Sequence, residues 1–459
     1  MLEARLRDIV CAARDEARAQ GIDAELFLHR ERSGLVRLGN SSVALCTSEE
    51  LTRLTITVQQ GRRVGAFALT ADLTAIEQVR AAIMRAREFC AASPEMDYQP
   101  IFGEVEETID DEHGCDPALA DYAPQAKTAL CAEVIETLKA EGAYDFSGSW
   151  SSGVTEFYYT SIANDREAYR CLTDGKLVLV LKDQASKWEL SVEQTGAQAG
   201  VFSAAAAIAE FRALLPIYRA QPGYRTPLGA MRVIFGPQAI AELCTLAVWS
   251  GFSGRGWEEG RAFTSGKPFG EQIFSPLVTL KDDPEARNVF GMPFDGKGKR
   301  RRTFTLAEQG AFQGLMYGAA TAAKYGKAPT GHDLENADLV LATGDAPADL
   351  AAGLALAGDA LYIPFLHYTH MPDPSRGLFT GSSRFNALRV EQGAFSAPLC
   401  STRVTDTIPN VLSHVQAISS HSVPVNLSTT YGPRAPVEVS VPEYLICDEV
   451  RISDVADTF

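Results

Sequence analysis

Apolar residues return every three to four positions over residues 2–20, where Leu6, Ile9, Val10, Ala13 and Ala17 form one stripe that Gly21 ends. This is the pattern of an amphipathic helix. The period then drops to two. Alternation over 25–31, 35–38 and 51–58, a turn at 59–62 and a further run over 64–69 predict an antiparallel meander. A second helix is predicted over 72–90, with Leu73, Ile76, Val79, Ile83, Ala86 and Phe89 facing inward. Residues 93–125 mix Pro, Tyr and an acidic run at 104–112, and read as a linker. Beyond it a helix beginning near 126 shows Leu130, Val134 and Leu138 before Gly142. Strand-like runs follow at 144–149, 154–162, 177–181 and 188–194, and 203–220 returns to helix. After a Pro/Gly-bearing joint at 221–229, a strand over 231–235 leads into a helix over 237–249, with Pro237 suited to its first turn. From Gly254 onward short strands and Gly/Pro turns dominate, apart from an Ala-rich helix near 345–356.

These runs predict an α+β fold of three units: 1–95 and 118–222, each mixing antiparallel sheet with helices, and a large β-rich domain over 226–459. A chain of 459 residues with 46% hydrophobic content can bury a sizeable core in each. The formal net charge of -16 repels a nucleic-acid backbone, so no nucleic-acid partner is expected. The one basic run, KGKRRR at 297–302, reads as a solvated hairpin end with strand residues 303–306 after it. Apolar runs stay short of the ~18 residues a membrane span needs, and the opening residues do not read as a signal peptide. Nine scattered cysteines without a C-x-x-C pair fit reduced, structural thiols in a cytoplasm.

Candidate chemistry begins at 244–254 (CTLAVWSGFSG), which spaces Ala247, Val248, Gly251 and Gly254 along the predicted helix. FSPLVTLKDD at 274–283, PFDG at 293–296 with 300–303, Thr321 with Ala322, Thr330 with Gly331, and HYTHMPDPSRGLFTGSSRFNALRVEQG at 367–393 follow in order. In these blocks the chain resembles the TldD/PmbA family over nearly its whole length, most specifically at 367–393. His332 and His370 stand where Asn is expected in PmbA-like chains. The catalytic branch of that family carries a His-Glu-x-x-x-His helix, and the resemblance sets Thr245 and Ser250 at its His positions and Leu246 at its Glu. Neutral hydroxyls are poor zinc ligands, and Leu246 can neither accept a proton nor polarise water. The resemblance therefore implies a PmbA (TldE)-like subunit with no catalytic residues and no cofactor of its own, zinc being expected in a TldD-like partner. It further implies a heterodimer or homodimer holding an unfolded or extended peptide in a groove between domains and subunits.

His367 and His370, with His414 and His421 later, are the clustered imidazoles. Pro364 and Pro372 disfavour a helix there, and in a regular strand positions three apart face opposite ways, so substrate binding is expected rather than a metal. Thr380, Gly381, Ser382 and Arg384 offer backbone N–H groups, hydroxyls and a guanidinium suited to a carboxylate or peptide carbonyl. Equally, 380–384 reads as a tight turn between Phe379 and Phe385 with Arg384 in a structural ion pair. Cys244 sits among apolar neighbours and reads as an inert buried thiol. GRAFTSGK at 260–267 imitates a phosphate loop but has the wrong glycine spacing and Pro268 in place of Ser or Thr. The pairs Glu258/Glu259 and Asp282/Asp283 read as solvated rim or turn. Three functional readings follow: a non-catalytic subunit that completes a protease chamber, a stand-alone homodimer that binds peptides or a small ligand, and a hydrolase with its metal relocated to the histidines.

Overall fold

The computed structural model describes residues 4–334, 337–428 and 433–457. The first helix, α1 (Ala4–Ala19), buries Leu6, Val10, Ala13 and Ala17 against the meander β1 (Asp23–Gly39), β2 (Ser42–Gln60) and β3 (Arg63–Thr70). On α2 (Ile76–Ala92) the buried stripe is Val79, Ile83, Ala86 and Cys90. Phe89, expected inward, is instead half exposed and leans on Phe67, because the stripe runs through its neighbour Cys90. Then come β4 (Ile109–Gly114), α3 (Pro117–Ala120), α4 (Pro124–Lys139), β5 (Tyr144–Ser161), β6 (Glu167–Asp183), β7 (Glu189–Gly196) and α5 (Ala204–Ala220).

One sheet runs through both N-terminal units, in the order β3-β2-β1-β5-β6-β4 with β7 also on β6. Its centre is the long antiparallel pair β1 and β5, in register from Glu25 opposite Ser161 to Leu38 opposite Gly148. The separate runs predicted at 25–31 and 35–38, and at 144–149 and 154–162, are single strands. Gly34 and Gly153 interrupt the alternation without interrupting the ladder: they lie beside Ser152 and Ser33, and a Cβ on Gly153 would come within 2.7 Å of the Arg32 carbonyl. The predicted linker is also part of this architecture. Within 93–125, β4 pairs in parallel with β6, and Val105, Ile109 and Leu119 are buried. Helix α5 with its preceding turn, 199–220, is apolar and long enough to cross a membrane by composition alone. In the fold its Ala207, Ile208, Phe211 and Leu215 join the core formed by β5, β6, β7 and α4.

The C-terminal half contributes β8 (Gly229–Phe235), α6 (Pro237–Gly251), α7 (Gly254–Glu258), β9 (Leu280–Asp282), β10 (Phe304–Glu308), β11 (Ala311–Phe312), α8 (Ala319–Tyr325), β12 (Leu339–Leu341) and α9 (Leu350–Ala357). It continues with β13 (Ala360–Ile363), β14 (Leu366–Asp373), β15 (Leu378–Ser383), β16 (Leu388–Glu391), β17 (Ala394–Pro398), β18 (Thr402–Thr407), α10 (Ile408–Ser413), β19 (Val415–Ile418), β20 (Ser422–Asn426), β21 (Glu438–Pro442) and β22 (Leu445–Val455). One sheet has the order β14-β15-β18-β22-β8-β13-β16-β17 with β19 on β22; the other runs β11-β10-β9-β12-β21-β20. Between them α6 buries Ala239, Ile240, Leu243, Ala247 and Val248 in the largest core.

The basic run does not end in solvent. Its hairpin exists, with Phe294 bridged to Arg300, but Lys297 pairs with the buried Glu25 of β1 at 2.6 Å and Lys299 with Glu106 at 2.8 Å. Arg301 is 1% exposed and holds Asp282 at 2.7 Å and Asp338 at 2.9 Å. Asp282 is likewise no rim residue: it is fully buried, and its second oxygen meets His332 Nδ1 at 2.7 Å. Opposite charges distant in sequence draw each other out of water here, a result that no local pattern encodes.

Candidate functional site

Helix α6 begins at Pro237, which supplies the fixed φ of a first turn, and its continuous apolar face lodges it beside the edge of the nine-stranded sheet. Thr369 of β14 donates a hydrogen bond to Glu242 of α6, fixing helix to strand. The three positions that the resemblance sets at the zinc motif diverge. Thr245 is exposed, Leu246 half-buried, and Ser250 is 2% exposed. Both hydroxyls are consumed by the helix itself: Thr245 Oγ1 donates to the Ala241 carbonyl at 2.9 Å, and Ser250 Oγ to the Leu246 carbonyl at 2.7 Å. These residues do not fit a zinc ion, in donor type or in direction. Burial pushes the Cys244 thiol up to about 12, so it carries no thiolate at neutral pH.

His367 and His370 lie on β14, the terminal strand of its sheet, whose outer edge carries no partner strand among the described residues. A bulge, with Tyr368 at φ 49°, sets His367 opposite Ser382 and His370 opposite Thr380. Three residues of β14 thus span two of β15, which removes the opposition of faces expected of a regular strand. His370 is exposed; His367 is half-buried against Tyr368, and burial, with Arg384 nearby, holds its pKa below the ordinary value. Among the described residues no three His, Cys, Asp or Glu side chains are grouped to hold a metal. His414 Nδ1 lies 2.8 Å from the Asn410 carbonyl at the end of α10.

Residues 380–383 are strand rather than turn, because β15 is paired on both sides, with β14 and with β18. Thr380 is buried and its hydroxyl accepts from Arg403 at 3.1 Å and from Thr405 at 2.9 Å. Gly381 lets β15 approach Thr369, whose methyl would stand 2.8 Å from an added Cβ. Ser382 is half-buried opposite His367. Arg384 pairs with Glu189 at 3.1 Å and lies over the Phe385 ring. The structure therefore gathers His367, His370, Thr380, Gly381 and Ser382 on two adjacent strands beside α6, and commits Arg384 to an ion pair with the N-terminal half.

The sequence of residues 228–454 matches the family described as "PmbA/TldA metallopeptidase C-terminal domain". The chain belongs to the TldD/PmbA family. Solved structures with the same fold include TldE from Thermococcus kodakarensis, with TM-score 0.81 at 15% identity over 98% of this chain and 100% of that one. Two putative modulators of DNA gyrase are similar at 15% identity. The protein from Thermotoga maritima has TM-score 0.79 over 97% of this chain and 100% of its own, and that from Bacteroides thetaiotaomicron 0.80 over 99% and 100%. No curated protein sequence matches.

Sequence reasoning missed a second constellation. Ser191 and Glu193 on β7, Glu210 on α5 and Glu443 after β21 line one cleft. The available signal was Ser191 and Glu193 alternating with the apolar Leu190 and Val192 on one strand.

Proposed function

We propose that this TldD/PmbA-family chain is a non-catalytic subunit of a zinc metalloprotease complex. In this reading it completes a chamber and presents an unfolded peptide to a TldD-like partner that carries the His-Glu-x-x-x-His helix. The observation that carries the reading is the chemistry of α6, the helix the resemblance sets at the zinc motif, where Thr245 and Ser250 spend their hydroxyls on their own helix and Leu246 has no proton to move. The unpaired edge of β14, bearing His367 and His370 beside that helix, supports the peptide-presenting part: an extended chain adds to such an edge through main-chain hydrogen bonds with little demand on sequence. Nine unpaired cysteines support a reducing, cytoplasmic setting.

The test is to purify the chain without an affinity tag and assay an unfolded, fluorophore-labelled protein substrate, alone and after mixing with a family member that has the intact zinc helix. The expected outcome is no cleavage and no stoichiometric zinc alone, and chelator-sensitive cleavage by a complex of larger mass after mixing. Failure of the mixture to associate or cut, or zinc-dependent cleavage by the chain alone, overturns the reading.

A further inference from the structure

The contact between α5 and β7 on one side and the C-terminal domain on the other encloses a cleft of about 570 Å³, within the size range of small-ligand sites. Its walls are apolar, with Ala213, Leu214, Phe365 and Phe395 among them, yet three carboxylates reach it: Glu193, Glu210 and Glu443. Among the described residues, no Lys, Arg or His lines it. Lys176, close by, is already committed, pairing with Glu193 and donating to the Asn426 carbonyl at 2.8 Å, and His421 lies beside Glu443 outside the lining. Glu210 and Glu443 thus face apolar walls and each other without a cation of their own in the lining.

A second, independent observation points the same way. Ser191 is 2% exposed, and its Oγ has no hydrogen-bond partner among the described residues. The backbone of Ser191 is pinned, since its N–H donates to Asn386 Oδ1 at 3.0 Å and its carbonyl accepts from Asn386 Nδ2 at 2.7 Å. Strand alternation turns Leu190 and Val192 into the core behind β7 and sends Ser191 and Glu193 to the cleft. A buried hydroxyl left unmatched costs free energy unless something in the cleft meets it.

We infer that this cleft binds an organic cation, a primary amine or guanidinium on an aliphatic stem, with Glu210 and Glu443 meeting the charge, Ser191 completing its hydrogen bonds and the apolar walls taking the stem. A metal ion suits the cleft less, because its acidic groups are not placed to share one and the volume is far larger than an ion needs. Desolvation in the cleft, with Glu193 and Glu443 near, pushes the Glu210 carboxyl up to about 7 although the side chain keeps contact with solvent. Burial raises Glu443 too, and His421 beside it opposes that rise. The repulsion among these groups is what a bound cation would relieve. This site is separate from the β14 edge and does not depend on the protease-subunit reading.

The source of the cation is either a basic side chain in an extended polypeptide or a free small amine, and the probes separate them. The full chain is titrated calorimetrically at pH 8 with agmatine, with the peptide Ala-Ala-Arg-Ala-Ala and with an all-Ala peptide of equal length. Saturable binding of agmatine, of the Arg peptide or of both, and not of the all-Ala peptide, is the expected result. Glu210→Gln combined with Glu443→Gln should weaken the binding about tenfold or more, the loss of roughly one charge-assisted contact. Ser191→Ala should weaken it less. Because Gln replaces the carboxylates without changing their size, thermal melts of the double variant check that it remains folded. No binding of either cation, or equal affinity in the folded double variant, overturns the inference.

Discussion

Two stretches of the contact between the N-terminal sheet and the C-terminal domain use charge in opposite ways. At Arg434 every charge is answered: the guanidinium holds both oxygens of Asp174 at 2.6 and 2.8 Å and Ser151 at 2.8 Å, and its own N–H donates to Glu31 at 2.6 Å, all buried. At the cleft beside β7, Glu210 and Glu443 crowd together with no lining cation. The first arrangement is closed and holds the halves together; the second is open and stores repulsion that a partner of opposite sign would release. Helix α6 belongs with the closed kind, since its hydroxyls are satisfied within one turn of backbone. In this fold the matched polar groups build architecture, whereas Ser191, unmatched and lining a cleft, is where a ligand group could be met.

The closed side breaks hardest. Arg434→Ala leaves Asp174 and Glu31 buried without their cation, and should cost about 3–5 kcal/mol in denaturant unfolding. Pairing Arg434→Met with Asp174→Leu should recover most of the loss, and a cost below about 1 kcal/mol would show that the pair is not sealed from water.

Glu438 tests an open charge close to the closed side. It is 5% exposed with one oxygen unbonded among the described residues, and burial, with Asp174 and Asp338 near, pushes it from 4.5 up to about 7. A carboxyl raised in the folded state holds its proton longer than the unfolded chain does. Its contribution to stability is therefore full below about pH 4.5 and is lost as pH rises through about 7. Glu438→Gln should stabilise by on the order of 2–3 kcal/mol at pH 8 and leave stability at pH 4 unchanged. Equal effects at both pH values would mean that the shift is absent.

A smaller effect belongs to the cleft. Glu210→Gln with Glu443→Gln should raise Tm slightly at pH 8, and agmatine should raise the Tm of the unaltered chain but not of the double variant. Smallest is the response of α6, where Thr245→Ala should change stability by no more than about 0.5 kcal/mol. Restoring the motif by Thr245→His, Leu246→Glu and Ser250→His should still yield no stoichiometric zinc by metal analysis. Position 250 is buried, so a larger ring there overpacks the core before it can meet one at 245.

Local signals carried well where one element decides them. The 3.6-residue stripe placed α1 and α2, the period of two placed the meander, Pro237 marked the start of α6, and a strand-like run marked β7. They failed where the deciding contact is distant: residues 93–125 look like a linker until β6 pairs with β4, and KGKRRR looks solvated until Glu25, Glu106, Asp282 and Asp338 meet it. The half-exposed Phe89 shows the margin at which a one-position error changes the face of a helix.

By itself the sequence determined the periodicities and the side-chain inventory, including Thr, Leu and Ser at positions 245, 246 and 250. It also fixed membership of the TldD/PmbA family through the order of its C-terminal blocks. Only the tertiary structure decided which charges are closed and which are open, because Arg434 finds Asp174 across 260 positions and Glu31 across 403. Helix and strand patterns arise from neighbours a few residues apart, whereas desolvation and ion pairing depend on whatever the fold brings within a few ångströms.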